Sequence, residues 1–201
     1  MTLPGQKPST LILWLVLCLP AVPMVGALSG DDPKAFHGLL HPTGEWAARF
    51  MILGMMASGL MLLFRGRSWP RWLVHHRRDI EVAAFLYATL HLLVYLIDRG
   101  TPERIVDHLS QVRIWTGWLA FLIIAPLAIT SNTAAQRWLH GGWKQLQRAA
   151  YPAAVLVLFH WAAMRDWGSW APAVVHFGPL IGLWAYRLWY WYLRPRPAAP
   201  T

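Results

Sequence analysis

Residues 80–97 read IEVAAFLYATLHLLVYLI. The run is long enough to cross a hydrocarbon core, which takes about 20 mostly apolar residues, with a range of roughly 17–25. In its middle stands His91. An ionisable ring at that depth is costly and marks a functional position by default. The reading of this stretch therefore turns on whether a second such ring lies at the same depth elsewhere.

The rest of the chain agrees with a membrane setting. Of 201 residues, 56% are hydrophobic and only 13% are charged, whereas a soluble domain carries about a quarter charged residues. Fourteen tryptophans suit a chain whose amphipathic rings sit at membrane interfaces. The expected fold is an all-α membrane protein, a single domain over residues 1–201 with no separate soluble part. Apolar runs at 10–28, 46–64, 80–97, 114–129, 149–164 and 172–193 predict a bundle of about six transmembrane helices. The run at 10–28 is longer than a signal-peptide core of about 7–15 residues and lacks a clean cleavage site, so it reads as a helix, kinked by Pro20 and Pro23. The Pro-rich tail, 194–201, reads as disordered. Cys18, the one cysteine, can form no internal disulfide and reads as a small packing residue. No repeat of solenoid period is visible.

The net charge of +9 does not mean nucleic acid. The basic residues fall in short loops between apolar runs, where they meet lipid head groups and set orientation. The second loop holds Arg65, Arg67, Arg71, Arg77 and Arg78, and the fourth holds Arg137, Lys144 and Arg148. Arg194 and Arg196 follow the last span. The first loop has Asp31 and Asp32 against Lys34, and the fifth has Arg165 beside Asp166. In the third, Arg99 and Arg104 mix with Asp98, Glu103 and Asp107. This asymmetry places the even-numbered loops and both termini in the cytoplasm.

With that topology the third and fifth spans run in parallel. His91 lies about a dozen residues into one and His160 about as far into the other, each roughly 17 Å from the inner edge. Imidazole is the commonest metal-ligating side chain, and two opposed rings suit a low-spin haem held between the third and fifth helices. Ala83, Ala84, Ala88, Ala153 and Ala154 are small enough to let a flat macrocycle lie there. With both axial positions filled, electron transfer is favoured over oxygen binding. His37 and His41 are expected in the first outer loop, and His108, His140 and His176 in loops or at interfaces. His75 and His76 belong to the inner basic cluster. Beside them Arg77 and Arg78 are candidates for holding a flavin phosphate or the electron donor, since paired cations suit phosphate. Trp115, Trp118, Trp143 and Tyr151 are expected as interface anchors.

The segments HPTGEWAARF (41–50), RRDIEVAAFLYATLHLLVYL (77–96) and ITSNTAAQRWLHGGWKQLQRAAYPAAVLVLFHW (129–161) resemble the MsrQ (formerly YedZ) family. These proteins are haem-binding membrane subunits of the periplasmic methionine-sulfoxide reductase system, within the ferric-reductase-like transmembrane superfamily. The resemblance implies a haem b with His91 and His160 as axial ligands and, in some descriptions, an FMN. Electrons would arrive from the quinone pool or a cytoplasmic flavin reductase. They would leave to a periplasmic molybdopterin reductase that repairs oxidised methionines, in the bacterial inner membrane. The chain departs from the family pattern at Gln147, where a histidine is usual, and at Glu81, where glycine is. Glutamine is a poor haem ligand, and thirteen residues at about 100° each put Gln147 off the face of His160 unless Pro152 bends the helix.

Two other readings stay open. One is a ferric-reductase-like carrier with a different partner, reducing metal chelates or oxygen. The absence of a G-x-G-x-x-G run and of a flavin or nicotinamide domain argues against a self-contained reductase. The other is a non-redox membrane scaffold or small transporter, which predicts a colourless protein.

Overall fold

The computed structural model describes residues 8–30, 32, 34–164 and 170–194. Asp31, Arg165, Asp166, Arg196 and the tail from residue 195, all used in the sequence reading, lie outside that set. Among the described residues there is no β-strand. The helices are α1 (Pro8–Cys18), α2 (Ala21–Leu28), α3 (Ala35–Leu63), α4 (Ser68–His75), α5 (Arg77–Arg99), α6 (Pro102–His108), α7 (Val112–Ile129), α8 (Thr133–Leu139), α9 (Gly141–Gln147), α10 (Ala150–Ala163) and α11 (Ala171–Leu188). A π-helical turn, Trp189–Leu193, continues α11.

Among the described residues, three helices are long and apolar enough to cross a membrane, namely α3, α5 and α7. The first expected span is two helices, α1 and α2, bent by 42°; Pro20 and Pro23 at that junction cannot continue an unbroken ladder. Counted as one, the pair makes a fourth crossing. α10, with 14 residues, is about 21 Å long, short of the roughly 30 Å hydrocarbon core. α11 has 18 residues, but Pro172, His176, Pro179 and Arg187 lower its apolar content.

The largest departure is the start of α3. It begins at Ala35, eleven residues before the expected span, so His37 and His41 stand on its first turns and not in a loop. Pro42 lies inside this helix, where it withholds the N–H that would reach the Gly38 carbonyl. The Thr43 hydroxyl donates back to the Leu39 carbonyl at 2.6 Å. Such local adjustment is how membrane helices tolerate proline.

α3 is the axis of the packing. It pairs most extensively with α5, and α7 pairs with α10. One core joins Leu17 and Met24 of the α1–α2 pair to Phe50, Ala57, Ile80 and Tyr87. The Tyr87 hydroxyl donates to the Leu17 carbonyl at 3.1 Å, tying α1 to α5. A second core joins Ile52 and Met55 of α3 to Ala154 of α10 and to Phe177 and Leu180 of α11. Outward, α1, α2 and α5 expose Leu15, Val22, Leu86 and Leu93, as lipid-facing surfaces do. Cys18 is exposed among them, so it does not serve as a packing residue.

Helix ends follow local chemistry. α5 stops at Gly100, whose φ of 75° is a conformation glycine adopts without a Cβ clash. α8 starts at Asn132, whose side chain accepts from the Ala135 N–H at 2.8 Å, a preferred N-cap arrangement. At the end of the bundle that carries Arg65, Arg71 and Arg77, hereafter the basic end, His76 is buried (3% exposed). It faces the Asp79 carboxylate at 3.2 Å and the Trp72 ring at 4.7 Å.

Candidate functional site: a histidine pair in a through-bundle cavity

α5 and α10 bring the rings of His91 and His160 together, edge toward face. Their ring centres are 6.2 Å apart, with planes at 76°. Each ring is held by the helix paired with its own. The His91 Nδ1–H donates to the Leu40 carbonyl of α3 at 3.0 Å, beside the Thr43 hydroxyl at 3.1 Å. The His160 Nδ1–H donates to the Arg113 carbonyl of α7. A carbonyl only accepts, so Nδ1 carries the proton and Nε2 presents its lone pair. Neither Nε2 has a hydrogen-bond partner among the described residues.

The two halves are built alike. Gly44 lies one turn after Leu40, and a Cβ there would stand 3.1 Å from His91. Gly117 lies one turn after Arg113, and its Cβ would stand 2.8 Å from His160. Both glycines follow a threonine, Thr43 or Thr116, whose hydroxyl donates to the carbonyl four residues back at 2.6 Å. So a Thr-Gly pair on one helix seats the ring of the next, twice. Gly44, Gly117, Leu40 and Arg113 were not among the site residues expected from the sequence. The repeated Thr-Gly dipeptide, once in HPTGEW and once in IWTGWL, was the available signal.

The rings open into a cavity of about 690 Å³, within the roughly 300–1,000 Å³ of ligand sites. It reaches from His41, Arg99 and His108 at one end to Glu81, Ser131 and Gln147 at the basic end. Most of its wall is apolar, with Phe85 and Phe121 stacked at 5.8 Å. Ala84 and Ala88 line it as expected. Ala83, Ala153 and Ala154 are instead buried in helix contacts, where small residues let helices approach.

Gln147 faces this cavity because the chain turns between α9 and α10, which the count along one continuous helix did not foresee. Its amide donates to the Leu127 carbonyl at 3.2 Å and to the Thr130 hydroxyl at 3.4 Å. Glu81 fits against Gly54, where a Cβ would stand 2.7 Å from its Cγ, and accepts from Arg77 Nε at 2.7 Å. Arg77 is thus held by Glu81 and Arg78 is exposed. His176, expected in a loop or at an interface, is on α11, with its ring 4.7 Å from Trp161 and its Nε2 accepting from Arg49 Nε at 3.4 Å. Trp143 donates to the Thr130 carbonyl at 3.0 Å.

Chemically, the pair fits one metal bound between both Nε2 atoms. Two bonds of about 2 Å from opposite sides place the ring centres about 6 Å apart, and the planes are free to differ about the common axis. No cluster of three or more metal-ligating side chains exists among the described residues, so further ligands would come from the cofactor. An iron porphyrin would supply them, and the mostly apolar cavity suits it.

The family model for the ferric reductase like transmembrane component matches residues 43–158. That range runs from the Thr-Gly pair of α3 almost to His160. Curated relatives match further. A haem-binding subunit MsrQ of protein-methionine-sulfoxide reductase from Agrobacterium fabrum is 32% identical over 81% of this chain and 73% of its own. The namesake from Xanthomonas oryzae pv. oryzae is 34% identical over 80% and 72%. The one from Brucella ovis is 30% identical over 96% and 89%. The chain belongs to the MsrQ family of ferric-reductase-like transmembrane proteins. Family membership and the apolar helices make it a multi-pass membrane protein. No solved structure matches it.

Proposed function

We propose that this chain is the haem-binding electron-transfer subunit of a methionine-sulfoxide reductase system in a bacterial inner membrane. The observation that carries the reading is the adjacent pair His91 and His160, both lining the cavity, each with Nδ1 tied to a carbonyl and Nε2 without a hydrogen-bond partner among the described residues. A haem b bound there supplies one-electron redox chemistry. The chain's own residues do the rest. His91 and His160 are the residues that would hold the haem iron, and with both engaged small ligands would be kept off it. The Leu40 and Arg113 carbonyls fix the tautomer and orientation of each ring, a role that outer partners of metal-bound histidines commonly fill. The apolar wall keeps water from the site.

The charge asymmetry supports a cytoplasmic basic end with both termini inside. The donor, the quinone pool or a cytoplasmic flavin reductase, would then act at that end, with Arg77 and Arg78 as docking cations. The acceptor would be a periplasmic molybdopterin reductase, which carries the sulfoxide chemistry. The relatives' description as the haem-binding subunit of a protein-methionine-sulfoxide reductase supports a catalytic partner.

The test is a haem-to-protein ratio on detergent-purified wild type, His91→Ala and His160→Ala. The expected result is a red wild type whose Soret band sharpens and shifts on reduction, and loss of haem in both variants. Retention of stoichiometric haem in both would overturn the ligand assignment.

A further inference from the structure

Three buried side-chain polar atoms have no hydrogen-bond partner among the described residues: the Tyr95 hydroxyl, Arg99 Nε and Trp184 Nε1. Leaving buried donors unpaired is unfavourable. Two of the three belong to neighbouring turns of α5, four and eight residues beyond His91, and both residues line the cavity. Residues four apart share a helix face. His91, Tyr95 and Arg99 therefore form one winding row from the ring pair to the mouth opposite the basic end. Arg99 stands about 12 Å from His91 along the axis. Its Nη2 is paired with Asp98 at 3.2 Å, and its guanidinium lies 5.8 Å from the Tyr95 ring centre.

A tyrosine O–H and a guanidinium N–H are donors, and a carboxylate is the acceptor that matches both. We infer that Tyr95 and Arg99 form a carboxylate seat, and that the carboxylate is a haem propionate. The inference rests on the haem reading above. It sets the macrocycle's orientation, with propionates toward the mouth that holds Arg99 and His108 and the apolar edge toward Phe85 and Phe121. The seat also places a cation near the porphyrin, which favours the reduced form and so raises the midpoint potential.

The test uses the full-length haem-loaded chain in detergent, with Arg99→Gln, Arg99→Lys and Tyr95→Phe. Haem loss to excess apomyoglobin and the midpoint potential are measured in each. Arg99→Gln should keep the low-spin spectrum but lose haem at least about tenfold faster, the effect of one charge-assisted hydrogen bond. Its potential should fall. Tyr95→Phe should show a smaller acceleration, and Arg99→Lys should restore most of the potential. Reconstitution with haem dimethyl ester identifies whose carboxylate is seated. If it is the propionate, wild type and Arg99→Gln then lose the ester at the same rate. A difference that persists with the ester assigns the carboxylate to a lipid or another molecule and overturns the inference. So does haem loss at wild-type rate from both Arg99→Gln and Tyr95→Phe. A wild type that takes up no haem sinks the haem reading itself, and is recognised separately by the missing Soret band.

Discussion

Gly117→Ala should break the site without touching a ligand. A Cβ at Gly117 would stand 2.8 Å from His160 Cε1 and 2.9 Å from Nδ1. Comfortable carbon contacts begin at about 3.5 Å, so ring or helix must move by roughly 0.7 Å. The ring cannot simply slide, because its Nδ1–H is bound to the Arg113 carbonyl on the same helix that carries the new methyl. Breaking that bond leaves a buried donor at about 1–3 kcal/mol; spreading α7 from α10 is overpacking, at about 1–3 kcal/mol. Either response displaces Nε2 by a sizeable fraction of a metal–nitrogen bond of about 2 Å. The expected outcome is loss of the six-coordinate low-spin spectrum, and a haem content well below wild type, in a chain that keeps its helical circular dichroism. Gly44→Ala is the graded control. Its Cβ would meet His91 at 3.1 Å, needing roughly 0.4 Å of relief, so it should retain haem with an altered potential. A Gly117→Ala chain with full haem and an unchanged spectrum would refute the claim that this glycine seats the ring.

Haem content should be near one per chain. The histidines lining the cavity are His37, His41, His91, His108 and His160; at the basic end stands Gln147, and a pyridine haemochrome ratio near two would contradict this. Gln147→Ala should leave the Soret band in place and lower stability by about 1 kcal/mol for its lost amide hydrogen bonds, read from the thermal midpoint of the haem-loaded chain. Gly54→Ala should destabilise by about 1–3 kcal/mol through its clash with Glu81, since Arg77 holds the carboxylate in place. Adding Glu81→Ala should recover most of that loss, and simple additivity of the two changes in a double-mutant cycle would count against the contact.

The histidine pair was legible because depth along a helix is a matter of counting. Charged edges at Arg77 and Arg148 fix where each count begins, and two counts of similar length meet. The start of α3 was not legible, since Gly38, Pro42 and Gly44 together read as a loop. In fact Gly44 admits the His91 ring, and the hydroxyl of Thr43 steadies the turn around Pro42. The paired Thr-Gly supports went unread because their copies are farther apart than the roughly 20–50 residues of repeat proteins. Small size in Ala153 and Ala154 suggested room for a cofactor, but small residues serve close helix contacts equally well. Only coordinates separate the two uses.

The two halves of the site explain why the cavity lies where it does. α3 with α5, and α7 with α10, are tightly packed pairs, and within each pair one helix supplies a ring and the other its carbonyl and glycine. Contact between the pairs is thinner, through α5 with α7 and α3 with α10, and the cavity occupies the gap between them. Each ring is therefore rigid relative to its own pair, whereas the 6.2 Å between rings is set by how the pairs sit together. A metal bound to both Nε2 atoms would bridge the gap, so its binding energy would act on the pair-to-pair contact more than on any single helix. On that argument the weakest joint of the bundle is where the cofactor contributes most, and the Thr-Gly seats keep each ring aimed before it arrives.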